Sequence, residues 1–260
     1  MNKLLYAAPC VVLAALLGCE KKETPTTSQE LSKLQEVVAV SKPQKPSYAA
    51  EDWRRDFAST FERSKEKTDS DGITSYQACF EPAGDKCGIF LSGVNDGFRK
   101  ADHLTAPLTA FHGMTVKYAE KGGAYVDLRV VAQQCKEAVA VLNPVVHAKS
   151  WLFMSEIAFM ADGAVIYEQT APSQAVNRDT DDGRIVESWS FKLDPGDYEK
   201  LDKFAESKSK VVRVTGDKGY YTLSKDSVDV FTKDVMSTIK ATKLVNDSLT
   251  KGGGPECTSA

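Results

Sequence analysis

Apolar and polar positions change rhythm several times along the chain. Residues 4–18 form an almost unbroken apolar run, interrupted only by Tyr6, Pro9 and Cys10. Residues 20–48 then carry Pro25, Pro43, Pro46 and Lys21-Lys22, with little to build a core. That composition predicts an extended tether. Within it, Thr27 and Glu30 fit a capping box, and Leu31, Leu34 and Val38 would lie on one face of a short helix. Over 50–66, Trp53, Phe57 and Phe61 recur at every fourth position, with Arg54, Arg55, Asp56 and Glu62 off that stripe. This spacing predicts a helix. Residues 73–80 and 88–92 read as a hairpin closed by Pro82-Ala83-Gly84-Asp85. Residues 93–113 are poorly patterned and read as a loop with a short helix.

Strands are expected at 114–118 and 124–131 around Lys121-Gly122-Gly123. A short helix is expected at 133–142, halted by Asn143-Pro144. The richest apolar stretch, 150–160, places Trp151, Phe153, Ile157 and Phe159 on one face of a strand. Leu152, Met154, Ala158 and Met160 fall on the other. Such a strand is either covered on both sides or exposes one apolar face. Another strand follows at 164–168, then a polar loop at 171–183 and a strand at 184–193. Asp194-Pro195 opens a helix that turns Tyr198, Leu201 and Phe204 inward. A hairpin forms around Gly216-Asp217-Lys218. Ser224 caps a last helix whose stripe is Val228, Phe231, Val235, Ile239, Val245 and Leu249, ended by Gly252-Gly253-Gly254-Pro255. Hairpins dominate this order, which predicts an α+β domain: an antiparallel sheet with helices packed mainly on one face, behind an N-terminal tether.

The apolar run at 4–18 is too short for a membrane span, which needs about 20 residues. With Lys3 ahead of it, it has the form of a secretory signal. It ends in Leu16-Leu17-Gly18-Cys19. These residues resemble the lipobox of bacterial lipoproteins, and the resemblance covers residues 1–19 only. It implies cleavage before Cys19, a thioether from Cys19 to diacylglycerol, and acylation of the new amino group with a fatty acid such as palmitate. Several acyl chains anchor stably, at about 0.8 kcal/mol per buried methylene. Glu20 stands where that family's inner-membrane retention signal has aspartate, so the expected location is the outer membrane. The expected organisation is a signal peptide at 1–18, the lipidated cysteine and tether at 19–48, one globular domain at 49–251 and a tail at 252–260.

Composition adds a compartment and removes a partner class. The net charge of −3 with mixed signs gives no nucleic-acid footprint. Of the 6 cysteines, Cys10 leaves with the signal and Cys19 takes lipid. Cys79, Cys87, Cys135 and Cys257 remain, an even set suited to disulfides in an oxidising compartment. Four cysteines allow three pairings. The turn between Cys79 and Cys87 favours that pair and leaves Cys135 with Cys257. Their spacing offers no metal site, and no cofactor motif is present.

Candidate chemistry is sparse. His103, His112 and His147 are scattered, no G-x-S-x-G turn occurs, and Asp102 beside His103 would point the opposite way. Asp179-Thr180-Asp181-Asp182-Gly183 and Asp69-Ser70-Asp71-Gly72 fail the calcium-loop spacing. Lys203, Lys208, Lys210 and Arg213 form a local basic run that reads as a solvated face. Glu156 interrupts the most apolar stretch, and Glu187 lies on an apolar strand that could neighbour it. Two carboxylates in an apolar setting could serve as acid and base.

The leading expectation is a lipid-anchored envelope protein acting as a non-enzymatic binding or adaptor module. Its partners would be the membrane, through its lipid, and an envelope protein or glycan. A tethered hydrolase of envelope polymers using Glu156 and Glu187 is the second. A spacer is the third, disfavoured by an aromatic-rich body without repeats.

Overall fold

The computed structural model describes residues 48–106, 122–181 and 183–257. The lipobox, the tether, the strand expected at 114–118 and His112 lie outside them. The described body falls within one compact unit.

Helix α1 (Ala50–Ala58) is followed by β1 (Glu62–Thr68), β2 (Ile73–Ala83), β3 (Lys86–Asp96), β4 (Ala101–Thr105), β5 (Gly123–Gln133) and β6 (Val139–Ala148). Next come β7 (Met154–Ala161), β8 (Ala164–Thr170), β9 (Asn177–Asp181), β10 (Arg184–Ser188) and β11 (Phe191–Lys192). Helix α2 (Pro195–Glu206), β12 (Lys210–Gly216), β13 (Gly219–Thr222) and helix α3 (Lys225–Gly252) complete the body. Among the described residues, sheet A has the order β1-β2-β3-β4-β5-β6-β10-β9, with β11 also on β6. Sheet B has the order β13-β12-β7-β8. Every pairing is antiparallel. The fold is α+β, as the hairpin-rich pattern implied.

Strand β5 shows why sheet A has an inner face. Ala124, Val126, Leu128, Val130 and Ala132 alternate along it and are all buried. The long helix α3 lies across this face and joins two apolar clusters. Its first half places Val228, Phe231, Val235 and Ile239 among Phe159 of sheet B, Phe204 of α2 and Leu128 of β5. Its second half places Ala241, Val245 and Leu249 with Trp53 and Phe57 of α1 and Phe80 of β2. Ser224 caps α3, its hydroxyl accepting the Ser227 N–H at 3.2 Å. Pro195 opens α2 as expected, and the Asp197 carboxylate accepts the Asp194 N–H at 3.1 Å.

Several expectations need correction. The first helix stops at Ala58, and residues 62–68 form the edge strand β1 instead of two further helical turns. Phe61 keeps its place in the aromatic stack, 5.2 Å from Phe57 and 4.9 Å from Phe80, but does so from the turn. Strand β1 is exposed throughout and charged at five of its 7 positions, so only its pairing with β2 makes it a strand. Such charge also protects a sheet edge. The loop expected at 93–113 begins instead with the end of β3 and with β4. The helix expected at 133–142 is a turn into β6. Pro144 sits inside β6 because its missing donor faces a break: its carbonyl accepts the Trp189 N–H at 3.2 Å, between β10 and β11. The polar loop at 171–183 contains the exposed edge strand β9.

The apolar run at 150–160 divides. Residues 149–153 carry the chain from sheet A to sheet B, and β7 starts only at Met154. Phe153 adopts a left-handed conformation, φ 56°. Glu156 pairs with Thr215 but Met154 pairs with Gly216, so Ser155 is an extra residue in a bulge. The bulge turns Met154 inward along with Ile157 and Phe159, while Ala158 and Met160 lie on the half-buried outer side. Gly216 is required here, since a Cβ would meet the Leu152 carbonyl oxygen at 2.5 Å.

Candidate functional site

The two carboxylates singled out in the sequence have different surroundings. Glu187 is fully buried. One oxygen accepts the N–H groups of Leu152 at 2.6 Å and Phe153 at 3.0 Å, and the other accepts the Met154 N–H at 2.7 Å. Arg178, its cross-strand neighbour on β9, stands 3.6 Å away. The residue therefore fixes the crossing between the sheets. Glu156 is on β7 in sheet B, half-buried between Thr215 and Thr170 on the side away from Ile157 and Phe159. The Glu187 carboxylate reaches the start of the strand that carries Glu156, yet it meets backbone donors there and Arg178 beside them.

Cys79 is bonded to Cys87, and Cys135 to Cys257. This is the pairing the turn favoured. Two disulfides fit a protein that folds outside the cytoplasm. Among the described residues, no group of three or more histidine, cysteine or acidic side chains could hold a metal ion, and no helix is long and apolar enough to cross a membrane. His103 and His147 lie on the outer side of sheet A, each with a buried Nδ1 that no described residue bonds. Burial lowers the pKa of both below the usual histidine value. Asp102 points the other way from His103, to the inner face. The basic run borders a second depression of about 400 Å³ at Lys208, Lys210 and Lys225, where Lys225 is paired with Asp229 at 2.7 Å.

The cleft with the most developed chemistry lies where α1 crosses the β3–β4 end of sheet A. It has a volume of about 470 Å³, and Trp53 and Phe57 contribute to its wall. Their rings stack 5.2 Å apart, and the Trp53 indole N–H donates to the Lys136 carbonyl at 3.1 Å. Arg54 on α1, Arg63 on β1 and Lys100 in the β3–β4 turn bring positive charge to it. Its acid is Asp102, 6% exposed, which accepts the Tyr76 hydroxyl at 2.6 Å, the Asn95 amide at 2.9 Å and Arg63 Nη2 at 3.3 Å. Burial first, and then the Asp102 charge, push the Tyr76 hydroxyl far above its usual pKa, so it stays a donor. Arg63 lies over the Tyr76 ring at 4.2 Å and the Phe61 ring at 5.5 Å. Arg54 directs Nε and Nη2 to Gln134 Oε1 at 3.2 and 2.9 Å.

Sequence reading did not assemble this cleft. In the sequence Arg54 lies off the apolar stripe and Asp102 stands beside His103, and neither is marked as a binding residue. The lining residues come from α1, β1, β3, β4 and the turn after β5, with no linear spacing to link them. A weak signal existed in Gly93: a Cβ there would fall 2.2 Å from the Tyr76 ring, so glycine marks where the tyrosine crosses. Compared with protein-family models, with curated proteins and with solved structures, the chain matches none.

Proposed function

We propose that this chain is a lipid-anchored lipoprotein of the bacterial envelope, held at the outer membrane, whose body is a non-enzymatic binding module. The cleft between α1 and the β3–β4 end of sheet A carries the binding part of this reading. It sets cations and amide groups over a buried aromatic floor in a concave site of small-molecule size. The chemistry for catalysis is weaker. Glu187 is engaged by the backbone of residues 152–154 and by Arg178, and Glu156 faces threonines. Leu16-Leu17-Gly18-Cys19 supports the anchor, Glu20 supports the outer membrane, and the disulfides agree with an envelope compartment.

Two measurements test the reading. The mass of the N-terminal peptide of the protein extracted from envelopes is expected to begin at Cys19 with acyl additions; an unmodified cysteine contradicts the anchor. The detergent-solubilised chain is expected to be retained on immobilised envelope fragments, and Arg54→Glu to be released from them. Arg54 is exposed, so its substitution spares the core. Equal retention of both proteins contradicts a role for the cleft in binding.

A further inference from the structure

We infer that the cleft beside α1 binds an oxyanion, a carboxylate or phosphate group, carried on a compact ring such as a sugar. This deepens the binding-module reading and rests on it.

The argument begins with charge. Arg54, Arg63 and Lys100 line the cleft against a single carboxylate, Asp102. That carboxylate already accepts Tyr76, Asn95 and Arg63, so it compensates Arg63 alone. The nearby Asp96 is matched by Arg99 at 3.5 Å. Arg54 is oriented by the neutral Gln134 amide oxygen, and among the described residues no acid pairs with it or with Lys100. Unpaired surface cations are common, but Arg54 is held in place. Gln134 is fixed on both sides: its N–H donates to the Lys100 carbonyl at 2.9 Å, and its neighbour Cys135 is bonded to Cys257. Arg63 is fixed by two rings and Asp102. The two arginines are therefore positioned before a ligand arrives, which lowers the ordering entropy of binding.

Guanidinium groups match carboxylate and phosphate geometry through paired N–H donors. Trp53 and Phe57, each 2% exposed, close the bottom of the cleft, and the Asn95 and Gln134 amides offer partners for hydroxyls. A volume of about 470 Å³ suits a ligand of sugar size. Neutral sugars would leave the charge of Arg54 and Lys100 unanswered.

The test is calorimetric titration of the full chain in neutral detergent micelles with inorganic phosphate, glucuronate, neutral glucose and phosphatidylglycerol dissolved in the same micelles. Saturable binding of phosphate or glucuronate is expected, with none of glucose and with weakening as salt rises. Arg54→Gln and Lys100→Gln should each reduce affinity by about tenfold. Both residues are exposed, so unchanged thermal unfolding is expected to show that each variant is folded. Binding of phosphate alone identifies a phosphorylated ligand, and binding of glucuronate identifies an acidic sugar. The proposal is overturned if neither soluble anion binds, or if both variants bind as tightly as the wild type. Arg54-dependent binding of phosphatidylglycerol without soluble-anion binding also overturns it and assigns the cleft to a lipid headgroup at the membrane surface. Continued Arg54-dependent retention on envelope fragments, with no anion bound, would sink the oxyanion but leave the binding module standing.

Discussion

The Glu187 carboxylate accepts the backbone N–H of Leu152 at 2.6 Å, across the point where the chain leaves sheet A for sheet B. The next two N–H groups, of Phe153 and Met154, turn to the same carboxylate. The left-handed Phe153 aims these successive donors at one place. A residue that resembled half of a catalytic pair thus acts as the joint between the sheets.

Replacing Glu187 should be severe. Glu187→Ala leaves three backbone donors without their acceptor and is expected to lower stability by about 3–5 kcal/mol. Glu187→Gln should lose less, about 2 kcal/mol, because its amide oxygen still accepts while its NH₂ opposes a backbone donor. Urea unfolding of the two variants measures both. A silent Glu187→Gln would show that the second carboxylate oxygen is dispensable. Glu156→Gln should shift the midpoint little, since Glu156 is only half-buried and faces away from the core.

Gly93 and Tyr76 form a second tight relationship. Gly93→Ala would place a methyl group 2.2 Å from a ring that its own hydroxyl pins to Asp102. Overpacking of this kind costs about 1–3 kcal/mol. Displacement of the ring should also loosen Arg63, which rests on it. The expected outcome is a lower unfolding midpoint together with weaker retention on envelope fragments. Loss of stability with full retention would separate Tyr76 from the cleft.

The disulfides should differ in weight. The Cys135–Cys257 bond closes a separation of 122 residues, and Cys79–Cys87 one of 8. In the chain-entropy model the first contributes about 5 kcal/mol and the second about 2.5. Calorimetry of Cys135→Ser/Cys257→Ser against Cys79→Ser/Cys87→Ser should show the larger fall in Tm for the first pair. A larger fall for the second would mean that local geometry outweighs loop closure.

Stability should also fall on mild acidification, through His147. Its folded pKa is lowered, first by burial, with Asp181 raising it and Arg184 lowering it further. The unfolded chain therefore binds the proton first as pH drops below about 6.5, and stability declines there. His103 acts in the same direction. Asp127, whose pKa burial raises, acts in the opposite one, because the folded state holds its proton more strongly. The difference between wild type and His147→Gln isolates the histidine. Urea midpoints from neutral to mildly acidic pH should decline less steeply in the variant, and parallel curves would contradict the assignment.

The legible parts of the fold were those where a local pattern matched a local cause. Asp194-Pro195 and Ser224 marked helix starts, the α3 stripe marked its buried face, and the turn at 82–85 indicated its disulfide. The errors arose where a partner strand decided the outcome. Strand β1 is charged along its length and exists through β2, and β9 through β10. The break at Trp189 lets Pro144 sit in β6. The bulge at Ser155 cancelled the simple alternation of 150–160. The cleft was illegible for the same reason: Arg54, Arg63, Lys100 and Gln134 meet only once α1 and the ends of several strands converge.

The most direct test of the binding module is acetylation of Lys100 in intact envelopes compared with the purified chain. Lys100 lies exposed at the cleft, and Lys225, with a side chain 86% exposed at the start of α3, serves as the reference. An occupied cleft predicts that Lys100 is protected in envelopes and becomes reactive on purification, while Lys225 reacts equally in both. Equal reactivity of Lys100 in the two settings would show an open cleft in the envelope and would contradict the account.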